Sequence, residues 1–135
     1  MSTREYSAKF ENLDEIRDYV GGLARAAGFS ERAVYAVQLA ADEAASNIIE
    51  HAYEGRPDGT FGLRCEYADG RLIMTFLDRG ESFDFSNVET PDLTVDLSKR
   101  KIGGLGIFLM HKLMDEVAYK VTKSGNYLTL IKRKD

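Results

Sequence analysis

Three groups of residues in this chain have types and spacings that chemistry can use. Glu43, Asn47 and His51 recur every four residues on a long segment, which puts them on one face if that segment is helical. A carboxylate beside a carboxamide offers hard oxygen ligands, which suit Mg²⁺, a cation that keeps several of its waters. The carboxylate can also orient or deprotonate a nucleophile. With Asp42 and Glu50 alongside, the same residues also read as an ordinary solvated helix face. The small side chains of Ala40, Ala41, Ala44 and Ala45 leave room for something to approach.

The second group is Asp78-Arg79-Gly80, which follows the apolar run Leu72 to Leu77. An Asp at the point where a buried strand leaves the core can accept from a ligand amino group, and Gly80 permits a close backbone approach. Asp followed by Gly is equally a common turn. The third group is Gly103-Gly104-Leu105-Gly106, which runs into a helical pattern. Exposed backbone N–H groups and the positive end of a helix suit a phosphate. Lys99, Arg100 and Lys101 lie just upstream and can supply counter-charge. The loop is neither a dinucleotide fingerprint nor a P-loop, and a plain helix-starting turn would look the same.

Hydrophobic periodicity predicts the elements that must position these residues. Thr3 to Phe10 alternates as a first strand. Leu13, Ile16, Val20, Leu23 and Ala27 recur at helical spacing up to a C-capping Gly28, and Gly21-Gly22 weakens this helix without ending it. Ser30 caps a second and stronger helix over about Glu31 to Tyr53, with Val34, Val37, Ala41, Ala44 or Ala45, Ile48 and Ala52 as its core stripe. Thr60 to Tyr67 and Arg71 to Leu77 form a hairpin through Asp69-Gly70. A polar stretch from Asp84 to Arg100 shows no period, and loops this long usually serve a function. Ile107, Leu109, Met110, Leu113 and Met114 mark a third helix. Val117 to Val121 and Tyr127 to Ile131 are closing strands around a Ser124-Gly125-Asn126 turn. The order βααββαββ predicts an α+β fold: a two-layer α/β sandwich with a mixed, mostly antiparallel sheet and three helices on one face.

Composition narrows the function. The 135 residues predict a single domain, and one cysteine, Cys65, excludes a disulfide framework or a multi-cysteine zinc site. Only His51 and His111 are available for a histidine metal centre. No apolar run reaches the length of a membrane span and no signal-peptide core is present, so the expected place is the cytoplasm. Lys+Arg 18 against Asp+Glu 22 leaves a net charge of −4, which argues against simple nucleic-acid binding. The charge is uneven: 9 basic and 19 acidic residues lie before position 99, and 9 basic and 3 acidic lie from there on. Chance and a basic Lys132-Arg133-Lys134 end explain that split as simply as an anion site does.

The order of the three groups carries more than each does alone. Glu-x-x-x-Asn on a helix, Asp-x-Gly ending a strand, a long polar loop and Gly-x-Gly opening a helix resembles the GHKL (Bergerat) ATP-binding fold of histidine kinases, gyrase B and Hsp90. Asp42 to Tyr53, Gly80 to Phe85 and Gly103 through Val117 are similar to motifs of the bacterial anti-sigma factor serine kinases. The resemblance runs from about residue 10 to the end of the chain. It implies ATP/ADP and Mg²⁺ as cofactors, with Asn47 on the metal and Glu43 as general base toward a serine hydroxyl. Asp78 would accept from the adenine amino group with Gly80 beside the ring. Residues 84–102 would form an ATP lid, and Arg100, Lys101, Gly103, Gly104, Leu105 and Gly106 would meet the phosphates. It implies an anti-sigma factor antagonist of STAS type and a sigma factor as partners, a homodimer, and neither nucleic acid nor membrane as a target. A nucleotide-gated module that sequesters its partner without catalysis is the alternative. Ser82 stands where the broader fold has a second glycine. Ile102 stands where relatives often carry a polar or basic residue. His51 is expected to be a local packing residue.

Overall fold

Burial alternates along Arg71–Asp78, giving one strand with a buried face and a half-buried face, and the fold is arranged around it. The computed structural model describes residues 3–54, 58–82 and 104–135, with the backbone alone at 104–106. The elements are β1 (Arg4–Ser7), α1 (Leu13–Ala26), α2 (Glu31–Asn47), β2 (Thr60–Ala68), β3 (Arg71–Asp78), α3 (Gly104–Leu113), β4 (Glu116–Thr122) and β5 (Gly125–Arg133). The strand order is β1-β2-β3-β5-β4, and every pairing among the described residues is antiparallel. The class is α+β, as expected. The predicted loop from Asp84 to Arg100 lies outside the described residues, and with it the lid at 84–102.

Local chemistry accounts for the boundaries. Ser30 Oγ accepts from Ala33 N and so caps α2. Gly28 takes a φ of +91°, its N–H bonds to Arg25 O, and the Phe29 N–H bonds to Ala24 O. This pair of bonds is the Schellman closure of α1. Asp69 and Gly70 both have positive φ, the geometry that a two-residue hairpin between right-twisted strands requires. The first strand is shorter than predicted, because the chain turns into a 3₁₀ helix at Phe10–Asn12.

Period two sorts the sheet into faces. Leu72, Met74 and Phe76 of β3, and Leu128 and Leu130 of β5, are buried beneath the helices with Leu63 and Phe61 of β2. Ile16, Val20 and Ala24 of α1 join them, as do Ile107 and Met110 of α3. Ala40, Ala41, Ala44 and Ala45 are all fully buried. The space around them is therefore filled by neighbouring elements, since α2 packs against both α1 and α3. Ligand room is not their purpose.

α2 ends differently from the sequence reading. After Asn47 the helix widens into a π turn over Ile48–Ala52, closed by Tyr53 N bonding to Ile48 O at 3.1 Å. Such turns are uncommon and often lie at functional sites. No helix among the described residues is long and apolar enough to cross a membrane.

Burial pushes the Cys65 thiol up to about 12. The thiolate is the reactive form, so the folded protein at about pH 8 should not react with a thiol reagent, whereas the urea-unfolded chain should label fully. Stoichiometric labelling of the folded protein would contradict this packing.

Candidate functional site

Strand parity delivers Asp78. It continues the series Leu72, Met74, Phe76 on the inner face, so its carboxyl is buried beneath the helices with only 3% of the residue exposed. In β5, Asn126 continues the series Leu130, Leu128 and is likewise buried. The antiparallel register sets Asp78 directly opposite Asn126. Asn126 Nδ2 donates to Asp78 Oδ1 at 2.9 Å and to Gly80 O at 3.0 Å. Gly80 N also donates to Asp78 Oδ1, at 2.9 Å. Among the described residues both donors thus fall on one oxygen, and none of them occupies Oδ2. Burial raises the Asp78 carboxyl above the usual carboxylate range, and the Asn126 and Gly80 hydrogen bonds hold that rise in check.

Gly80 is required by packing. A Cβ there would lie 2.2 Å from the carbonyl oxygen of Ala52. That carbonyl accepts from Glu81 N at 2.7 Å. Tyr53, next in the chain, accepts from Arg79 N at 3.0 Å through its hydroxyl and donates to Thr60 O. The end of α2 and the end of β3 are therefore bonded together.

Along α2 the polar residues separate into different environments. Asp42 faces Arg17 of α1, with Nε to Oδ1 at 3.7 Å. Glu50 lies 3.5 Å from His51 Nε2. Glu43 has neither a hydrogen bond nor an ion pair among the described residues. Burial, and then the negative charges of Asp42 and Glu50, raise its carboxyl above the usual range. One turn on, Asn47 is 5% exposed and its Nδ2 is buried with no hydrogen-bond partner among the described residues. A buried amide nitrogen left unpaired costs free energy unless something completes it. Its oxygen is a donor of the kind Mg²⁺ accepts. Among the described residues no three His, Cys, Asp or Glu side chains gather as a metal cage. A cation here would take its remaining ligands from water and from an anion.

The profile of the family described as "Histidine kinase-like ATPase domain" matches residues 6–132. The chain is 34% identical to the serine-protein kinase RsbW of Listeria monocytogenes over 119 residues, covering 85% of this chain and 76% of that protein. It is also 34% identical to RsbW of Bacillus subtilis over 116 residues, covering 82% and 71%. The chain belongs to the RsbW serine-protein kinases of the histidine kinase-like ATPase family. The fold is also that of the crystallised RsbU and RsbW domains of Rv1364c from Mycobacterium tuberculosis, with a TM-score of 0.65 at 16% identity, covering 99% of this chain and 33% of that one.

Of the residues singled out from sequence, the structure brings Asp78 and Gly80 against the end of the helix that carries Glu43 and Asn47. His51 sits in the π turn rather than on the α-helical face that Glu43 and Asn47 share. Gly104, Leu105 and Gly106 lie in the first turn of α3 itself. Lys99, Arg100, Lys101 and Gly103 lie outside the described residues. Asn126 was not anticipated. Ser124-Gly125-Asn126 has the chemistry of a turn, yet Asn126 stands two residues before Leu128 and four before Leu130, a spacing that marks the inner face. A shallow cleft lined by Arg4, Glu5, Tyr6, Ser7, Asn12 and Glu15 lies elsewhere and contains none of these residues.

Asp78→Asn keeps an oxygen for Gly80 N and Asn126 Nδ2 and removes the buried charge. The raised folded-state value means that Asp78 favours folding while protonated, and that this contribution is lost as pH rises from the ordinary carboxylate range through the folded value. Urea titrations should therefore show Asp78→Asn at least as stable as wild type at neutral pH, with the difference closing in acid. A variant clearly less stable at neutral pH would show that the ionised carboxylate is a net structural asset.

Proposed function

We propose that this chain binds ATP with Mg²⁺ and transfers the γ-phosphate to a serine of a partner protein, an anti-sigma factor antagonist of STAS type. In the unphosphorylated cycle it would hold a sigma factor, acting as a cytoplasmic homodimer. The observation that carries the reading is the join between two half-sites in a chain of this family. A buried acceptor, Asp78, is bonded through Gly80 and Glu81 to the helix that carries Glu43 and Asn47, whose carboxyl and Nδ2 have no partner among the described residues.

The roles follow from the chemistry of each group. Asp78 Oδ2 would accept from the adenine amino group. The Asn47 carboxamide oxygen would hold Mg²⁺, which would supply charge neutralisation to the phosphates. Gly103, Gly104, Leu105 and Gly106, with Arg100 and Lys101, would meet the phosphates from the opening of α3. Glu43 takes the proton of the attacking serine Oγ as the new O–P bond forms, while the bond from the γ-phosphorus to the bridging oxygen breaks and ADP leaves. Positioning and charge neutralisation supply most of such catalysis, which is why so small a set of groups suffices.

Transfer of labelled phosphate from ATP to the cognate antagonist tests the reading. Glu43→Gln should lower the rate by about 10²–10⁴-fold, the usual range for a general base, while sparing ATP binding. If partner control survives that change intact, the chain sequesters without catalysis. The pH profile is a second check. A base works deprotonated, so the rate should climb with pH through a value above the ordinary carboxylate range. Glu50→Gln, which removes a like charge near Glu43, should move that limb to lower pH. An unmoved limb would mean that Glu43 is not the titrating group.

A further inference from the structure

The hydroxyl of Tyr53 has a task that the site so far leaves unassigned. Tyr53 follows the π turn directly, so the widened turn sets where its ring points. The ring lies over Gly59, where a Cβ would come within 2.5 Å of it. Its hydroxyl donates to Thr60 O, at the start of β2, and accepts from Arg79 N, between Asp78 and Gly80. Three successive amides after β3 are thereby bonded: Arg79 N to the phenol, Gly80 N to Asp78 Oδ1 and Glu81 N to Ala52 O. Two of those three acceptors belong to the end of α2.

We infer that Tyr53 is a positioning residue for base recognition: its hydroxyl fixes the Arg79 peptide and thereby the direction in which Asp78 presents its carboxylate. The inference rests on the reading that this site takes ATP. Asp78 is the last residue of β3, paired with Phe61 of β2 and Asn126 of β5, so the ladder restrains the chain up to Asp78 and not beyond it. Beyond the strand, the peptide after it is held by the phenol. Asn126 and Gly80 N occupy Oδ1 and set the rotation of the carboxyl group, whereas Tyr53 sets the height of the backbone that carries it. Without the hydroxyl, Arg79 N and Thr60 O each lose a partner while the ring still fills the space above Gly59.

The test is calorimetric titration of wild type and Tyr53→Phe with two nucleotides in the presence of Mg²⁺. One is ATP and the other is purine riboside triphosphate, which lacks the exocyclic amino group. Wild type should favour ATP about tenfold, the scale of one hydrogen bond to a charged group. Tyr53→Phe should bind ATP about tenfold more weakly, close to the amine-free nucleotide, and should bind purine riboside triphosphate within about twofold of wild type. Hydrogen exchange supplies the local readout: the Arg79 amide should lose protection in Tyr53→Phe while the Glu81 amide keeps it. Equal weakening of both nucleotides would reduce Tyr53 to a structural role and overturn the inference, as would unchanged ATP binding. If wild type binds ATP but does not discriminate between the nucleotides, the role of Asp78 fails and this inference fails with it. If wild type binds no ATP at all, the proposed function itself is wrong.

Discussion

The structure depends on one close approach. The carbonyl of Ala52 reaches the amide of Glu81 at 2.7 Å, and no side chain fits at Gly80 between them. α2 can make that contact because its last turn widens, which gives the Ile48–Ala52 segment a direction that a continued α-helix would not have. The remaining features of the site follow from this join. It brings the polar stretch of α2 beside the inner face of the sheet, and it closes the peptide after Asp78 into a fixed shape. Gly80 can look like a turn residue or a ligand-facing residue. In the folded chain it is first the place where two elements touch.

A second constraint is the number of polar groups buried in an otherwise apolar interior. Asp78, Asn47 and Asn126 are the buried polar or charged residues among those described. They are not scattered. Two of them pair across adjacent strands, and the third lies on α2, the helix whose end is bonded to Arg79 and Glu81 just after Asp78. Burying polar groups costs free energy unless they are hydrogen-bonded, and Asn47 Nδ2 has no partner among the described residues. A fold selected for stability alone would place apolar side chains at these positions. Their arrangement, together with two carboxyls held above their ordinary range, is what the proposed nucleotide site requires.

Much of this was legible in the sequence, for physical reasons that differ by element. Helices and strands here are amphipathic, so periodicity located them, and Gly28, Ser30 and Asp69-Gly70 marked boundaries through local chemistry alone. Asp78 could be found because it ends the apolar run Leu72 to Leu77. Asn126 was hidden by its neighbours: Ser-Gly-Asn reads as a turn, and only the register with β3 shows that the turn is over by Gly125. The π turn was hidden for a different reason. It is favoured by tertiary bonds to Glu81 and Arg79, and no local pattern in Ile48–Tyr53 reports them. The four alanines of α2 misled because small side chains admit a neighbouring helix as readily as a ligand. The family resemblance, drawn from the joint order of motifs, needed none of these details and agrees with the relatives that the chain matches.

On the proposed function, the two half-sites joined at Ala52 and Gly80 hold a single nucleotide. A crystal structure with ADP and Mg²⁺ bound tests this most directly. The adenine amino group should lie within hydrogen-bond distance of Asp78 Oδ2, and the Asn47 carboxamide oxygen on the metal at about 2.1 Å. A nucleotide seated in the cleft between Arg4 and Glu15, or a bound Mg²⁺ without Asn47 among its ligands, would contradict it.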